Sequence, residues 1–597
     1  MSGKRIVIEI VFACCFAQVC GLHAQILTPD RIVDWKPGLP DGMPVKTAEA
    51  DVRDFGAAGD SLSDDAPAFM AAIASLPPGG GTVRIPAGRY LLRRGLRLDR
   101  GIMLSGEGFR NTRLFFDLDA RVENAVEISR PIEDGWTSVP GGCLRGSLAL
   151  ETERADRFSG GGFLEITRDN DPRLMYTNTE WNQDWAADAV GQIVQVESVK
   201  RDRVRFRTPL YLDYPTELRP KVRRLDPVQY AGVEKLSVMR LDSGLGDMIV
   251  LRHAAFCRVS DVESAFTTGM HVLLYDAFRC EVTNGYFHHA HGYGAGGRGY
   301  GADCATHATD NKIENNIFEH LRHAMMVQVG ASGNVFGYNY SCRPESDEGF
   351  PLADLSLHGH YANYNLFEAN TVQSIGVGDY WGPAGPGNVF LRNVVETGIV
   401  TVEDFSHEQS FVGNTVRSES GDGSIRIHQS VQNTLQHGNR IGELVQWDPS
   451  IPVHDVPLSY YLDSRPAFWG DGDWPSRDAG DSAVTELPAK TRYRKGTLIA
   501  SSEDQKPPKR GPELSVYPNP TEGPVHLMFF IPRSCPVVLK LLDMRGRTLR
   551  TIWYGFLERG SRDWIVDLDD GGRPARGILF VVLTTGQLQS AKKIIIL

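Results

Sequence analysis

A six-residue unit bracketed by asparagines recurs through the middle of the chain and leaves few folds open. It reads Asn311-Lys-Ile-Glu-Asn-Asn316, Asn334-Val-Phe-Gly-Tyr-Asn339, Asn365-Leu-Phe-Glu-Ala-Asn370 and Asn388-Val-Phe-Leu-Arg-Asn393, with weaker copies ending at Asp261, Asn284, Asn414 and Asn439. The end positions 261, 284, 316, 339, 370, 393, 414 and 439 are spaced by 23, 32, 23, 31, 23, 21 and 25 residues. A period near 23 suits a coil of three short strands and three turns, and such coils bury a core only by stacking on one another. Asparagines at equivalent turns then pair along the stack, which makes them structural. Cys257 and Cys280 each lie four residues before a unit's end. They therefore fall on adjacent coils about 4.8 Å apart, close enough for a disulfide or for two packed thiols.

Composition fits one long core. The chain has 597 residues, 62 of them glycine, 41% hydrophobic and 23% charged, which excludes a mostly disordered protein. Its net charge of −11 argues against nucleic acid as a partner, since that binding rests on Lys and Arg neutralising phosphates. The charge is uneven: residues 251–440 hold 20 acids against 11 Lys/Arg, whereas 512–597 hold 8 against 11.

Residues 1–24 read as a signal peptide: Lys4 and Arg5, an apolar run over Ile6–Val19, and Leu22-His-Ala24 before the cut. Export is therefore expected, with no membrane span. Six cysteines follow the leader, an even number for an oxidising compartment. Residues 25–145 carry a helix over 66–74 with an Asp N-cap, then Gly79-Gly-Gly-Thr-Val-Arg-Ile85, Tyr90-Leu-Leu92 and Leu104-Ser-Gly-Glu-Gly108. The order of these motifs resembles the N-terminal cap and first coils of the pectate-lyase superfamily, including its rhamnogalacturonase-like members. Residues 146–230 break the repeat with alternating strands and read as an inserted small β module. Residues 231–465 continue the helix, and 466–511, with Pro507-Pro-Lys-Arg-Gly511, read as a linker. Residues 512–597 contain Tyr517-Pro-Asn-Pro520, an Asp543/Gly546-Arg547 turn and a closing Lys592-Lys-Ile594. This segment resembles the C-terminal sorting domain of the type IX secretion system, which implies an Ig-like sandwich, the type IX machinery as partner, and release or attachment at the outer cell surface. The fold expected is all-β: a right-handed parallel β-helix, an inserted β module and a C-terminal Ig-like β-sandwich, in a monomer.

Thirteen of the sixteen histidines lie between 251 and 440. Counting back from each terminal Asn aligns one strand per coil, with Val272, Tyr300, Met325, Leu355, Val377, Val400 and Ile425 facing inward. Alternation then turns Tyr275, Asp303, Gln328, His358, Tyr380, Glu403 and His428 outward. Ser356, Thr401 and Arg426 form a second outward column, with His271 and Asp354 at strand starts. Asp379 falls inward in this register. The strip mixes acid, amide, imidazole and phenol groups, which suits a catalytic surface better than a solvated face.

The superfamily resemblance implies cleavage of glycosidic bonds of an extracellular polysaccharide. Elimination needs a base, an acid and a carboxylate neutraliser. His358 and Tyr380 on neighbouring coils fit the first two roles; Gln328, Arg322 or Arg426 fit the third. Hydrolysis needs two carboxyls, available among Asp354, Asp379, Glu403 and Asp404. The expected catalytic set is His358, Tyr380, Glu403 and Asp354. Asp303, Gln328, Arg322, His323, Arg426, His428 and Trp381 are expected to bind substrate, with Trp381 stacking on sugar. His288, His289, His291 and His320 stack at a turn, as a cleft rim or as structure. No metal site or cofactor is evident, and calcium has no support in the residues. Gly292-Tyr-Gly-Ala-Gly-Gly297 matches a dinucleotide fingerprint without the surrounding βαβ unit and reads as a loop. The alternative to a lyase or hydrolase is a non-catalytic glycan-binding or cell-surface protein.

Overall fold

The computed structural model describes residues 26–497 and 514–596, except 133, 176–177, 182, 348, 350–351, 418–422, 471–473, 475–485, 522, 532–534, 559, 568–576 and 586–587. The leader at 1–24 and the Pro507–Gly511 stretch lie outside them. The chain forms two compact units, Met1–Ile499 and Ala500–Leu597.

The first unit is a parallel β-helix with three strand columns. One column runs through Val126–Ser129, Ile249–Ala255, Met270–Phe278, Tyr300–Ala305, His323–Val327, Leu355–Leu357, Thr371–Val377, Val394–Val402 and Ser424–Ile427. A second carries the asparagine units, from Arg258–Thr267 through Glu281–Thr283, Lys312–Glu314, Val335–Gly337, Leu366–Glu368 and Val389–Leu391 to Ser410–Val412. The third passes through Tyr286–Ala290, Ile317–Glu319 and Tyr340–Cys342. Inward side chains make one continuous core from Ala50 to Val431. Phe336, Phe367, Phe390 and Phe411 stack within it at 5.4, 4.9 and 4.6 Å between successive rings.

Both asparagines of each unit are buried, so the helix has two ladders where the sequence suggested one. Asn316, Asn339, Asn370, Asn393, Asn414 and Asn439 link in order, each side-chain Nδ2 donating to the next Oδ1 at 2.9–3.0 Å. Asn311, Asn334, Asn365 and Asn388 repeat the pattern at 2.9–3.1 Å and end on Gln409. Each Nδ2 also donates to a backbone carbonyl of the preceding coil, such as Asn365 to Ala331 at 2.9 Å. Cys257 and Cys280 continue this second ladder, because the Cys280 amide donates to Asn311 Oδ1 and the Cys257 amide to Cys280 Sγ. They are stacked free thiols. The expected ladder position of Asn284 belongs to Gly285, whose amide bonds Asn316 Oδ1; Asn284 instead pairs with Asn315.

The helix at Ala66–Ser75 caps one end, but Asp65 spends its carboxylate on the amides of Ala58 and Gly59 in place of an N-cap bond. Between the first and later coils a six-stranded antiparallel sheet forms from Thr137–Ser138, Ala149–Glu151, Phe163–Thr167, Gly191–Lys200, Arg203–Phe206 and Lys221–Leu225. It joins the helix through buried charge. His307 bonds Glu165 at 2.6 Å, Arg223 bonds the other Glu165 oxygen at 2.5 Å, and Arg223 also reaches Asp276 at 3.7 Å. At Gly330, with φ +69°, a Cβ would sit 1.8 Å from the Ala189 carbonyl, so the turn accepts the module only as glycine.

Two segments lie elsewhere than expected. Residues 26–35 leave the cap and cover the outward face of the asparagine column, where Ile26, Leu27 and Trp35 pack on Val335, Leu366 and Val389. Within the linker, Pro488–Lys495 is a helix docked on the third column through Tyr493–Glu319 at 2.6 Å and Lys490–Glu396 at 2.5 Å. In each case an outward apolar or charged strand face is covered. The second unit packs antiparallel sheets of three and four strands around one core containing Leu527, Leu539 and Val581.

Asn365→Ala removes a donor and an acceptor from the middle of a dry ladder and leaves several buried groups unpaired. The expected loss is about 3 kcal/mol in urea denaturation, at about 1–3 kcal/mol per unsatisfied group.

Candidate active site

The candidate strip is the outward face of the first column, and its register differs from the sequence reading in two coils. Val272 pairs with Ala302, Leu355 with Ile375, and Ile375 with Val400. Tyr300 and Val377 are thus displaced by two residues from the positions assigned to them. The sequence count let the offset from the terminal Asn vary, and chose Tyr300 where Ala302 keeps the offset of the next coil; in the other coil the stretch between Val377 and Asn388 is longer than its neighbours. Paired inward residues would have revealed this, since Leu355/Leu357, Ile375/Val377 and Val400/Val402 repeat at i and i+2.

In the observed register Asp303 shares a column with Met326, Ser356, Thr401 and Arg426. Gln328, His358, Gly378, Glu403 and His428 follow two residues later, each amide bonding to the preceding coil. Tyr380 leaves the column. It is 59% exposed in the turn, its ring 4.8 Å from Trp381 and its hydroxyl paired with Glu180. Asp354 stands at the strand start as expected, but its side chain is buried, accepting from the Gln373 amide at 2.7 Å, and does not join the other groups. Asp379, read as inward, stands in the strip instead. Glu403 and His428 keep their column and are exposed, as is Arg426, bonded to Ser424. About five strand spacings of 4.8 Å separate Arg426 from Asp303, so those residues belong to a long surface and not to one reacting point.

The groups that come together are Tyr300, Asp303, Arg322, His323, Gln328, His358 and Asp379. Asp303 is fully buried although it faces outward. One carboxyl oxygen accepts from Gln328 Nε2 at 2.6 Å and the other has no partner. Burial pushes its pKa up to about 7, against the Gln328 bond and the neighbouring His358 charge. Asp379 behaves oppositely. Burial would raise it too, but the charge and hydrogen bond of His358 Nδ1 hold it below the ordinary carboxylate range, while the Trp381 amide donates to its second oxygen at 3.0 Å. His323 is pushed down to about 3 by burial, hence neutral. Its Nδ1 donates to the Ala353 carbonyl at 2.7 Å, leaving Nε2 as the acceptor. Its ring lies 4.9 Å from that of Tyr300, whose pKa burial raises to about 12. Arg322 lies 5.8 Å over the same phenol and bonds the Gly294 carbonyl at 2.7 Å. Tyr300 was missed because the misplaced register put it in the core.

Two other groups gather ligand-type side chains. His288 and His289 meet through Nδ1 atoms at 2.9 Å, and the His289 ring lies tilted 4.5 Å from that of His320. Glu165, Asp276 and His307 are close enough to share an ion, yet Arg223 already supplies a cation there and the 2.6 Å contact is a hydrogen bond. They clasp the inserted module.

Residues 50–136 match the family model described as rhamnogalacturonase A/epimerase, pectate lyase-like. That region is the cap and first coils. Mannuronan C5-epimerase AlgE1 of Azotobacter vinelandii is 46% identical over 68 residues, 10% of this chain and 5% of that one. AlgE5 of the same organism is 32% identical over 126 residues, 20% of this chain and 10% of its own. The chain thus spans a small part of the curated relatives it matches. Among solved structures, the tailspike gp49 of Pseudomonas phage LKA1 aligns at TM-score 0.46 and 17% identity, covering 61% of this chain and 64% of the tailspike. An exopolygalacturonase from Thermotoga maritima aligns at 0.38 and 11%, covering 69% and 95%.

A carboxyl with its folded pKa raised binds its proton more tightly than the unfolded chain does, so its contribution is complete below about pH 4 and lost as pH rises to about 7. Asp303→Asn should therefore gain stability relative to the parent across that window, by roughly 4 kcal/mol from end to end, read by urea denaturation from pH 4 to 8.

Proposed function

We propose that the protein is an exported enzyme that acts on an extracellular polysaccharide at the Asp303–His358–Asp379 strip, cleaving glycosidic bonds by acid–base catalysis. One observation carries this reading: two carboxyls of the strip, both within the influence of His358, are driven to opposite protonation states. Asp303 holds a proton near neutral pH and Asp379 is ionised against His358. Groups whose environments push them apart in this way supply an acid and a base at one pH. In elimination the neutral form of His358, oriented by Asp379, takes the proton beside a uronate carboxylate, the electrons form the double bond as the C–O bond breaks, and the departing oxygen takes the Asp303 proton. In hydrolysis the same pair deprotonates water, which attacks the anomeric carbon as Asp303 protonates the leaving oxygen.

A second reading is favoured by the local match to mannuronan C5-epimerases. Tyr300 and neutral His323 face each other at 4.9 Å with Arg322 beside them. Such a pair sets a neutral imidazole acceptor beside a phenol proton donor, the two groups a proton exchange at a sugar carbon needs, with Arg322 near for an adjacent carboxylate. The leader at 1–24 and the type IX-like motifs of 512–597 support export.

The test is a panel of polymannuronate, polygalacturonate and α-1,3-glucan, with and without calcium, followed by absorbance of unsaturated uronate, new reducing ends, and proton exchange from solvent. Asp303→Asn and Asp379→Asn are expected to lose about 10²–10⁴-fold in turnover. The parent's rate should fall as pH rises through about 7, where Asp303 gives up its proton. Turnover unchanged in both variants would overturn the assignment, and binding without any turnover would favour the glycan-binding alternative.

A further inference from the structure

The turns that follow the strip carry an aromatic face that none of the acid–base chemistry uses. Phe405 is 43% exposed, Trp185 47% and Tyr380 59%; Phe405 packs on Trp181, while Trp185 and Tyr380 both pack on Trp381. Ring centroids lie 6.2 Å apart for Trp181–Phe405 and 5.6 Å for Trp185–Trp381. Exposed apolar clusters of this kind are uncommon on a protein surface and mark places that are covered in use. Beside them is a cleft of about 270 Å³ between the inserted module and the coil turns. Tyr361, Pro383, Pro386 and Phe405 line it, and Arg173 and Glu408 stand at its rim.

The left-handed backbone of Asp404 and Phe405, φ +46° and +57°, is the ordinary corner of this helix, shared by Phe256, Phe266 and Tyr338; what marks this face is how its turn is held. The turn itself is fastened to the reacting strip: the Asp379 carboxylate accepts from the Trp381 amide, Gly382 donates to the Asp379 carbonyl at 2.9 Å, and Tyr361 donates to the Pro383 carbonyl at 2.9 Å. Asp379 and the cleft are thus opposite ends of one rigid turn.

We propose that this cleft is a sugar subsite, where one ring of the polysaccharide stacks against Phe405 while the next lies toward Asp379. The ligand class is a pyranose chain. Aromatic and proline surfaces suit the apolar face of a sugar ring, and a rim of one guanidinium and one carboxylate serves its hydroxyls without selecting its charge. The volume lies just below the range for drug-sized ligands, which suits a single ring. This inference rests on the polysaccharide reading above and adds where the chain runs: from the strip across Trp381 toward the inserted module.

The experiment compares full-length parent, Phe405→Ala, Phe405→Tyr and Asp379→Asn. Binding of polymannuronate, polygalacturonate and α-1,3-glucan is followed by tryptophan fluorescence, and KM and kcat are measured on whichever polymer is turned over. Phe405→Ala should weaken binding and raise KM about tenfold, the upper end of one aromatic contact. Its kcat and melting temperature should stay near the parent's, and Phe405→Tyr should restore affinity. If Phe405→Ala binds and turns over polymer like the parent while Asp379→Asn is inactive, the subsite is wrong and the catalytic reading survives. If no polymer is turned over but Phe405→Ala weakens binding, the catalytic reading fails and the subsite stands. If the parent binds none of the three polymers, both fail.

Discussion

In the later coils of this helix the chain turns corners where amide groups leave water, and the asparagine ladders satisfy them. One side-chain amide does three jobs at each step: it donates along the stack, donates to a carbonyl of the preceding coil, and accepts from a backbone amide, as at Asn365. Buried polar groups are tolerated only when bonded, so a ladder link broken on one coil would orphan groups on two. The ladders therefore fix which residue of each coil lies over which residue of the next. The outward strip inherits its order from that constraint, although it lies on a different column.

The strip's chemistry follows from position along the stack. Asp303 sits within a strand, roofed and with a single partner, so burial dominates and the acid stays protonated. Asp379 sits where the strand gives way to the turn, within reach of His358 and of the Trp381 amide, so a nearby charge dominates and the carboxylate stays ionised. The same residue type supplies both halves of an acid–base pair because one fold places it in two environments.

How much of this could be read from residues alone depended on the ruler. The asparagine unit marked the coils, the helical fold and the column of strands between ladders, because a buried ladder needs the same residue each time. Distances measured from that unit failed at Val377, where the following turn is long, and at Tyr300, where the offset of Ala302 from Asn316 matches that of Met325 from Asn339 and was the one to use. Pairing Ile375/Val377 with Leu355/Leu357 puts Gly378 in the place given to Tyr380, but alternation alone still turns Asp379 inward; it joins the strip because the strand gives way to a turn at Gly378, φ +77°. The Tyr300–His323 pairing was also out of reach, since it depends on the shifted coil. The path of residues 26–35 had no periodic signal at all; only the outward apolar residues Val335, Leu366 and Val389 hint that something must cover them.

The formal charge of the helix changes meaning in this light. Residues 251–440 hold 20 acids against 11 Lys/Arg, a balance that would repel a polyuronate. Yet Asp303 and Glu368 are pushed up to about 7, and Asp310 and Asp354 to about 6, each chiefly by burial. These four take up protons as pH falls from about 7 to 6, which cuts the excess of negative charge where it lies closest to the strip and the core. The formal charge therefore overstates the negative charge that the helix carries below about pH 7.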